Sequence, residues 1–178
     1  MKSLKTLVSL SALAVCMGAA SMAGAASFSP VGKTFQTDAT GTIVVKSPSS
    51  FGAAVTCKAV FSGTVRSDGK ADITNVVVSP GSSTLCNLPQ ITGLPWLLTP
   101  ATTTSGTATN VGYTITGVPP LIPGTSCGPS TINVALASTT GPLDSDKSIT
   151  LTAANQALSG GCTVQSLNVK ATGVTIVP

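Results

Sequence analysis

The chain of 178 residues carries nine Lys and Arg, five acidic residues and no His, and 8% of its residues are charged. All five acidic residues are Asp. An enzyme usually needs a proton-transfer group that titrates near neutral pH, and His is the commonest choice. Arg66 is the only arginine and no basic cluster forms, which excludes a typical nucleic-acid-binding face. Composition therefore favours a protein that acts through its surface, with no catalytic residues and no cofactor.

The start of the chain resembles an export signal. A short basic segment precedes an apolar run over 7–15, and an A-x-A motif follows at 23–25. This order is typical of a secretory signal peptide, and the apolar run is shorter than the ~20 residues that a membrane-spanning helix needs. We expect residues 1–25 to be removed and residues 26–178 to form one exported domain without a transmembrane segment.

Four cysteines would remain after cleavage, since Cys16 lies in the signal segment and follows a valine, which fits a lipid-attachment site poorly. An even number of cysteines in an exported chain predicts two disulfides. Of the three ways to pair four cysteines we favour Cys57 with Cys86 and Cys127 with Cys162, because each bond would close one local β-unit. No C-x-x-C pair is present, so we expect no metal site. The destination is secreted or extracellular, with periplasmic or cell-surface retention as alternatives.

Short stretches of alternating polarity fill the exported part. Those over 54–65 and 71–79 flank an Asp-Gly turn at 67–70, which predicts a β-hairpin. Similar stretches cover 42–46, 110–116, 131–138, 148–153 and 163–177. The pattern predicts an all-β fold, an antiparallel β-sandwich or barrel stabilised by two disulfides. We expect one helical turn, at 153–158, and a long loop at 99–109.

Two apolar segments, 88–98 and 118–123, are rich in Pro and fit poorly as central strands. They could pack onto the end of the fold, with the single Trp in the core. Alternatively they form an exposed apolar surface, since large exposed apolar patches usually mark interaction sites and Trp suits an apolar–water boundary. On the second interpretation the candidate contact residues are Leu94, Trp96, Leu97, Leu121 and Ile122.

The Asp residues give little sign of chemistry. A pair of carboxylates could act as the catalytic groups of a glycosidase. Asp144-Ser145-Asp146 resembles the start of a calcium-binding loop but lacks the Gly and the distal Glu of the EF-hand pattern. Asp68 and Asp144 have the context of turn residues. We expect solvated turns here, and a hydrolase with an Asp or Ser site is the weakest of the functional hypotheses.

Several motifs carry a resemblance to a known family. They are the segments 1–7, 47–52, 55–57, 61–65, 85–89, 94–96 and 127–130. Together they resemble the secreted protein activator of alkane oxidation family of Gram-negative hydrocarbon-utilising bacteria. The resemblance covers most of the chain. It implies an extracellular protein that promotes growth on long-chain alkanes such as hexadecane by emulsifying them, and it implies no catalytic residues.

These observations lead to a hypothesis of a non-enzymatic, surface-active protein whose partner is a long-chain alkane or another apolar interface. Burying apolar surface in oil yields ~25 cal/mol per Å², so a patch of a few hundred Å² would hold the protein at the interface. The alternative is a structural or adhesive protein of the cell surface or biofilm matrix. It would self-associate by β-strand addition, with 42–46 or the closing strand donated to a neighbour.

Overall fold

The computed structural model describes residues 26–81 and 83–178, so the predicted signal segment and Cys16 lie outside the described residues. The strands are β1 (Ser27–Ser29), β2 (Thr34–Gln36), β3 (Thr42–Lys46), β4 (Val55–Val65), β5 (Ala71–Pro80), β6 (Pro89–Thr92), β7 (Trp96–Pro100), β8 (Ser105–Ile115), β9 (Thr125–Thr139), β10 (Ser148–Leu158), β11 (Cys162–Thr172) and β12 (Thr175–Val177). Short 3-10 turns lie at Pro48–Ser50, Thr84–Asn87 and Asp144–Asp146. The predicted all-β class is confirmed.

Eight of the strands close into an antiparallel barrel. Their order around the barrel is β4, β3, β11, β10, β9, β8, β7 and β5, and pairing of β5 with β4 completes the circle. Short β2 lies beside β3 along one edge of β4, and short β6 lies beside β7 along one edge of β8. The fold is thus the barrel rather than the sandwich of the two predicted forms.

The barrel interior is made almost wholly of aliphatic side chains. On β4, buried and more exposed positions alternate, so that Val55, Cys57, Ala59 and Phe61 all point inward. Aromatic residues make up only 3% of the chain, and Val, Ile, Leu and Ala supply most of the remaining core. The period of two that is visible in the sequence therefore gives the inward face directly.

The predicted hairpin at 67–70 joins β4 to β5. The Arg66 N–H donates to the Lys70 carbonyl oxygen at 2.7 Å, and the Asp68 carboxylate accepts from the Lys70 N–H at 3.2 Å. Gly69 has φ of +76°, a conformation that glycine adopts without strain. The Asp-Gly dipeptide predicted this turn correctly, and Asp68 is a turn residue as expected.

Three local predictions are wrong. The expected helical turn at 153–158 belongs to β10, because pairing with β11 down to Leu158 opposite Cys162 outweighs the local preference. The expected loop at 99–109 shrinks to 101–104, since β7 and β8 form a tight hairpin there. The Pro-rich segment 88–98 contains β6 and the start of β7, which is a barrel strand paired on both edges. Pro89 is the first residue of β6, a position that needs no ladder N–H from proline.

Both predicted disulfides are present, Cys57–Cys86 and Cys127–Cys162, with S–S distances of 2.02 and 1.98 Å. Two disulfides fit an extracellular or periplasmic protein. Both lie near the same end of the barrel. We call it the disulfide end, and it is formed by the connecting segments 46–54, 83–88, 116–124 and 159–161. The opposite end, called the charged end below, is formed by 66–70, 101–104, 140–147 and the β1–β12 pair.

Candidate functional site

Ionic contacts between described residues are confined to the charged end. They join Lys33 to Asp144, Lys147 to Asp144, Arg66 to Asp68, Arg66 to Asp72, and Lys70 to Asp68, at 3.0 to 3.8 Å. The Lys147 ammonium, hydrogen-bonded at 3.0 Å, lowers the pKa of Asp144, and Lys33 adds to this effect. Exposed pairs of this kind stabilise a fold only slightly. Because these charged groups are exposed to solvent, water solvates them at this end of the barrel.

The disulfide end has the opposite character. In its four connecting segments, as far as the structure describes them, Lys46 is the only charged residue and no acidic residue occurs. Large apolar side chains are exposed there instead: Phe51 is 76% exposed, Leu121 71% and Val118 50%. We call these three residues the apolar tip. Charge is therefore concentrated at one end of the barrel. Exposed apolar side chains occur at both ends, since Val31 and Leu143 are 59% and 63% exposed close to the ion pairs of the charged end.

The two loops that carry the apolar tip are fixed to each other. The Ser49 hydroxyl donates to the Pro123 carbonyl oxygen at 2.7 Å, and the Ser49 N–H donates to the Thr125 hydroxyl at 3.1 Å. Ser49 itself is 4% exposed. Because a buried polar group with satisfied hydrogen bonds holds a single geometry, the loop of Phe51 is anchored to the segment that follows the loop of Leu121.

Phe51 occupies an unusual backbone conformation. Its φ of +53° is left-handed, which is rare for a bulky residue. The surrounding turn enforces it, since the Phe51 N–H donates to the Pro48 carbonyl oxygen at 2.9 Å and the Gly52 N–H to that of Ser47 at 3.0 Å. The Ser50 hydroxyl also donates to the Ala53 carbonyl oxygen at 2.7 Å. Strain of this kind persists only where its surroundings over-determine it, and it often marks a functional position.

The loop that carries Val118 and Leu121 is a tight turn held by backbone hydrogen bonds. The Val118 N–H donates to the Ile122 carbonyl oxygen at 2.8 Å, and the Ile122 N–H donates back to Val118 at 2.9 Å. The Leu121 N–H also donates to Val118, at 2.8 Å. Leu121 is thus held at the outermost point of a tight turn, while Ile122 is half-buried. An apolar contact here would need little ordering of the loop.

Comparison with protein families assigns the chain to one of them. A family model described as alkane oxidation protein activator PraA/PraB-like matches residues 1–178, the whole chain. The chain belongs to this family. The resemblance seen in the sequence is thereby confirmed, and the family name suggests a role in activating alkane oxidation. No curated protein and no solved structure matches the chain.

In this PraA/PraB-like chain the five predicted contact residues do not form one surface. Leu121 and Ile122 lie at the disulfide end, whereas Leu94, 37% exposed, lies in the turn between β6 and β7 on the barrel wall. Leu97 is half-buried on β7.

Trp96 requires a correction, because it is only 7% exposed. Its indole N–H donates to the Thr92 carbonyl oxygen at 2.8 Å, and its ring centroid lies 6.2 Å from that of Phe61. The inward alternation of β7 places it in the core, as the other sequence interpretation expected.

Sequence reasoning missed Phe51 and Val118. Phe51 follows Pro48-Ser49-Ser50 and precedes Gly52, so an aromatic residue in a turn context was the available signal. Val118 belongs to the apolar segment 118–123 but was not among the candidate contact residues. Neither exposure could be read from composition alone, since each depends on how the two loops pack.

Metal ligands, the Asp residues near position 145 and membrane-spanning helices were also considered for the described part of the chain. Among residues 26–81 and 83–178, no group of three or more His, Cys, Asp or Glu could hold a metal ion. Asp144 and Asp146 belong to a 3-10 turn, where the Asp146 carboxylate accepts from the Leu143 N–H at 3.3 Å. No helix within the same residues has the length and apolarity to cross a membrane.

Proposed function

We propose that this protein is exported and non-enzymatic, and that it promotes alkane assimilation by adsorbing at the oil–water interface through the apolar tip. Long-chain alkanes such as hexadecane are the proposed apolar phase. The observation that carries the proposal is that the apolar tip lies at an end whose described connecting segments hold a single charged residue. The exposed apolar residues at the opposite end, Val31 and Leu143, lie among ion pairs. The family name, alkane oxidation protein activator, supports the same phase as partner.

Burial of the apolar tip in oil supplies the free energy that drives adsorption. Three large exposed side chains offer ~200–300 Å² of apolar surface, and burying that area in oil contributes on the order of 5–7 kcal/mol. Immobilising the protein offsets part of this gain. The hydrogen bonds within and between the two loops reduce that offset, because the tip needs no reordering on contact.

The charged end sets the orientation at the interface. Moving its ion pairs into oil would strip them of water at a large cost, so insertion stops at the disulfide end. The molecule would sit with its axis across the boundary, the apolar tip in oil and the β1–β12 end in water. A layer of such molecules would lower the interfacial tension and stabilise droplets.

The first test compares a tip variant with a matched control variant. Phe51→Asn with Leu121→Ser removes the two most exposed side chains of the tip and places at position 51 a residue that tolerates the left-handed conformation. Val31→Asn with Leu143→Ser makes the same kind of change at the charged end, where the two side chains are 59% and 63% exposed. The hexadecane–water interfacial tension is measured against the concentration of oxidised protein.

We expect the tip variant to need at least tenfold more protein for the same fall in tension, because two large side chains no longer enter oil. The control variant should stay within twofold of the wild type. Two results would contradict the proposal. One is a wild type no more surface-active than an unrelated disulfide-bonded β-protein, and the other is an equal loss in both variants.

A second candidate function is assembly by β-strand addition in a cell-surface or biofilm-matrix layer. β5 pairs with β7 only over 71–73, so its remaining stretch, 74–80, has no strand partner on that edge among the described residues. Open edges can pair with another chain. The predicted donor 42–46 is less suited, because β3 is paired on both edges, with β4 and β11.

Strand addition predicts concentration-dependent polymers that an edge charge would block. Val77, 49% exposed, lies within the open stretch of β5. Val77→Lys should reduce the polymer fraction in sedimentation velocity at least fivefold, since an edge lysine opposes edge-to-edge pairing. A wild type that stays monomeric at high concentration would remove this candidate.

A further inference from the structure

The barrel encloses a cavity of about 100 Å³. Its lining runs from Phe28 and Val174 at the charged end to Cys57 and Pro89 near the disulfide end. The cavity is therefore elongated along the barrel axis. No polar atom contributes to its accessible wall.

Two polar side chains border the cavity, and neither presents a polar atom to its accessible wall. The Thr37 hydroxyl accepts a hydrogen bond from the Phe61 N–H at 2.9 Å. Tyr113 contributes its ring to the wall. Its hydroxyl oxygen is buried with no hydrogen-bond partner among the described residues, and it does not reach the accessible wall, which is wholly apolar. A bound molecule would meet carbon atoms alone, so it should carry no polar group at the buried end, where a hydroxyl or carboxylate would lose its water without gaining a partner.

Small inward residues explain why the space exists. An eight-stranded barrel has an interior that side chains can just fill, or that can hold one small ligand. Ala59, Ala71, Ala108 and Ala171 all line this cavity and are at most 4% exposed. Alanine at four positions, in a core with few aromatic rings, leaves the centre of the barrel unfilled.

We propose that the barrel interior binds one aliphatic hydrocarbon chain. An engineered apolar cavity of about 150 Å³ stays dry and takes up benzene. A cavity of about 100 Å³ whose lining extends along the barrel therefore suits a linear chain of a few carbons or the end of a longer one. This site is separate from the apolar tip. The proposal stands on the cavity itself and does not depend on adsorption.

The disulfide end offers the route into the cavity. A second, smaller cavity of about 20 Å³ lies there and shares Val45, Cys57 and Pro89 with the main one. At the charged end Phe28, Val174 and Ile176 cover the barrel and are at most 4% exposed. A chain would therefore enter from the end that also carries the apolar tip.

The test uses n-hexane as the probe with the purified oxidised protein. Isotope-filtered NOEs should connect hexane protons to the methyl groups of Ala59, Ala108 and Val134 in the lumen, and these NOEs should saturate with hexane concentration. Ala135 lies on the outer face of β9 and should show none. Absence of lumen NOEs at saturating hexane would overturn the proposal.

Filling the cavity gives the matched comparison. Ala108→Leu places a larger side chain in the lumen and should weaken hexane binding at least tenfold, whereas Ala135→Leu on the outer face should leave it unchanged. Should Ala108→Leu not fold, Ala59→Val makes a smaller filling change with the same expectation. Equal affinity in a folded filled variant and the wild type would overturn the lumen site.

The outcomes also separate this site from adsorption. Saturable hexane NOEs confined to Phe51 and Leu121 would overturn the lumen site and leave adsorption standing. Lumen NOEs together with an unchanged interfacial tension would support the lumen site and contradict the adsorption mechanism.

Discussion

Replacing Trp96 by alanine is expected to lower the free energy of unfolding by about 3–5 kcal/mol, the usual cost of removing a large buried aromatic side chain. The ring is 7% exposed, lies 6.2 Å from Phe61 between ring centroids, and lines the central cavity. Truncation would enlarge that cavity and leave the Thr92 carbonyl oxygen without its 2.8 Å donor. Urea unfolding followed by far-UV circular dichroism measures the change, since the variant lacks the only Trp.

Two substitutions nearby serve as controls. Trp96→Phe keeps an aromatic ring and loses the indole N–H, so it should cost about 1–2 kcal/mol, near the net value of one hydrogen bond plus a small loss of packing. Leu97→Ala changes the adjacent, half-buried side chain and should cost about 1 kcal/mol or less, because less apolar area leaves the interior. A Trp96→Ala variant within 1 kcal/mol of the wild type would contradict the core assignment.

The result bears on adsorption as well as on stability. If Trp96 acts only in the core, the folded Trp96→Phe variant should lower the hexadecane–water interfacial tension as the wild type does. Reduced ability to lower the interfacial tension should then be found only in the variant of Phe51 and Leu121. This comparison separates a residue that supports the barrel from residues that contact oil.

The sequence predicted those parts of the fold that depend on local pattern. The period-two alternation of β4 gave its inward face, and Asp68-Gly69 gave the hairpin, because both depend on neighbouring residues alone. The choice between barrel and sandwich depends on β5 pairing with both β4 and β7, as in Ala71 opposite both Val65 and Leu98. That closure joins distant segments, so no local signal could decide it.

The candidate site was predicted less well, for a related reason. Trp96 and Leu94 are separated by one proline, and their opposite exposure follows only once β7 is known to begin at Trp96. Phe51 is exposed because Ser49 is anchored to Pro123 and Thr125, more than 70 residues away in the chain. Exposure of a loop residue is a tertiary property, whereas the number of cysteines, which predicted two disulfides, is a property of the sequence itself.

Removing either disulfide is expected to lower the free energy of unfolding by about 3.5–4 kcal/mol, from the loop-closure entropy that each bond takes from the unfolded chain. The paired cysteines are 29 and 35 residues apart, so the two losses should be similar. Alanine is the better replacement, because all four cysteines are at most 2% exposed and a serine hydroxyl would be buried there. Urea unfolding of Cys57→Ala with Cys86→Ala, and of Cys127→Ala with Cys162→Ala, measures each loss.

The second disulfide lies beside a stretch of β9 that has no strand pairing with β10. The β9–β10 ladder ends at Ala135 opposite Thr152, and beyond that point the Cys127–Cys162 bond connects β9 to β11 across the end of β10. Its removal should therefore also speed amide hydrogen exchange along 126–134 more than removal of Cys57–Cys86 does, because no strand pairing with β10 holds this stretch on that side.

Adsorption should behave differently from stability in these variants. The loops of the apolar tip are joined by Ser49 rather than by a disulfide. At a temperature where both double variants remain folded, the interfacial tension curve should stay within about threefold of the wild type, since the tip surface is unchanged. If removing either disulfide lowers the free energy of unfolding by less than 1 kcal/mol, the loop-closure entropy account is contradicted. A tenfold loss of adsorption in a folded variant would show that the disulfides, and not the hydrogen bonds of Ser49, hold the tip in its active arrangement.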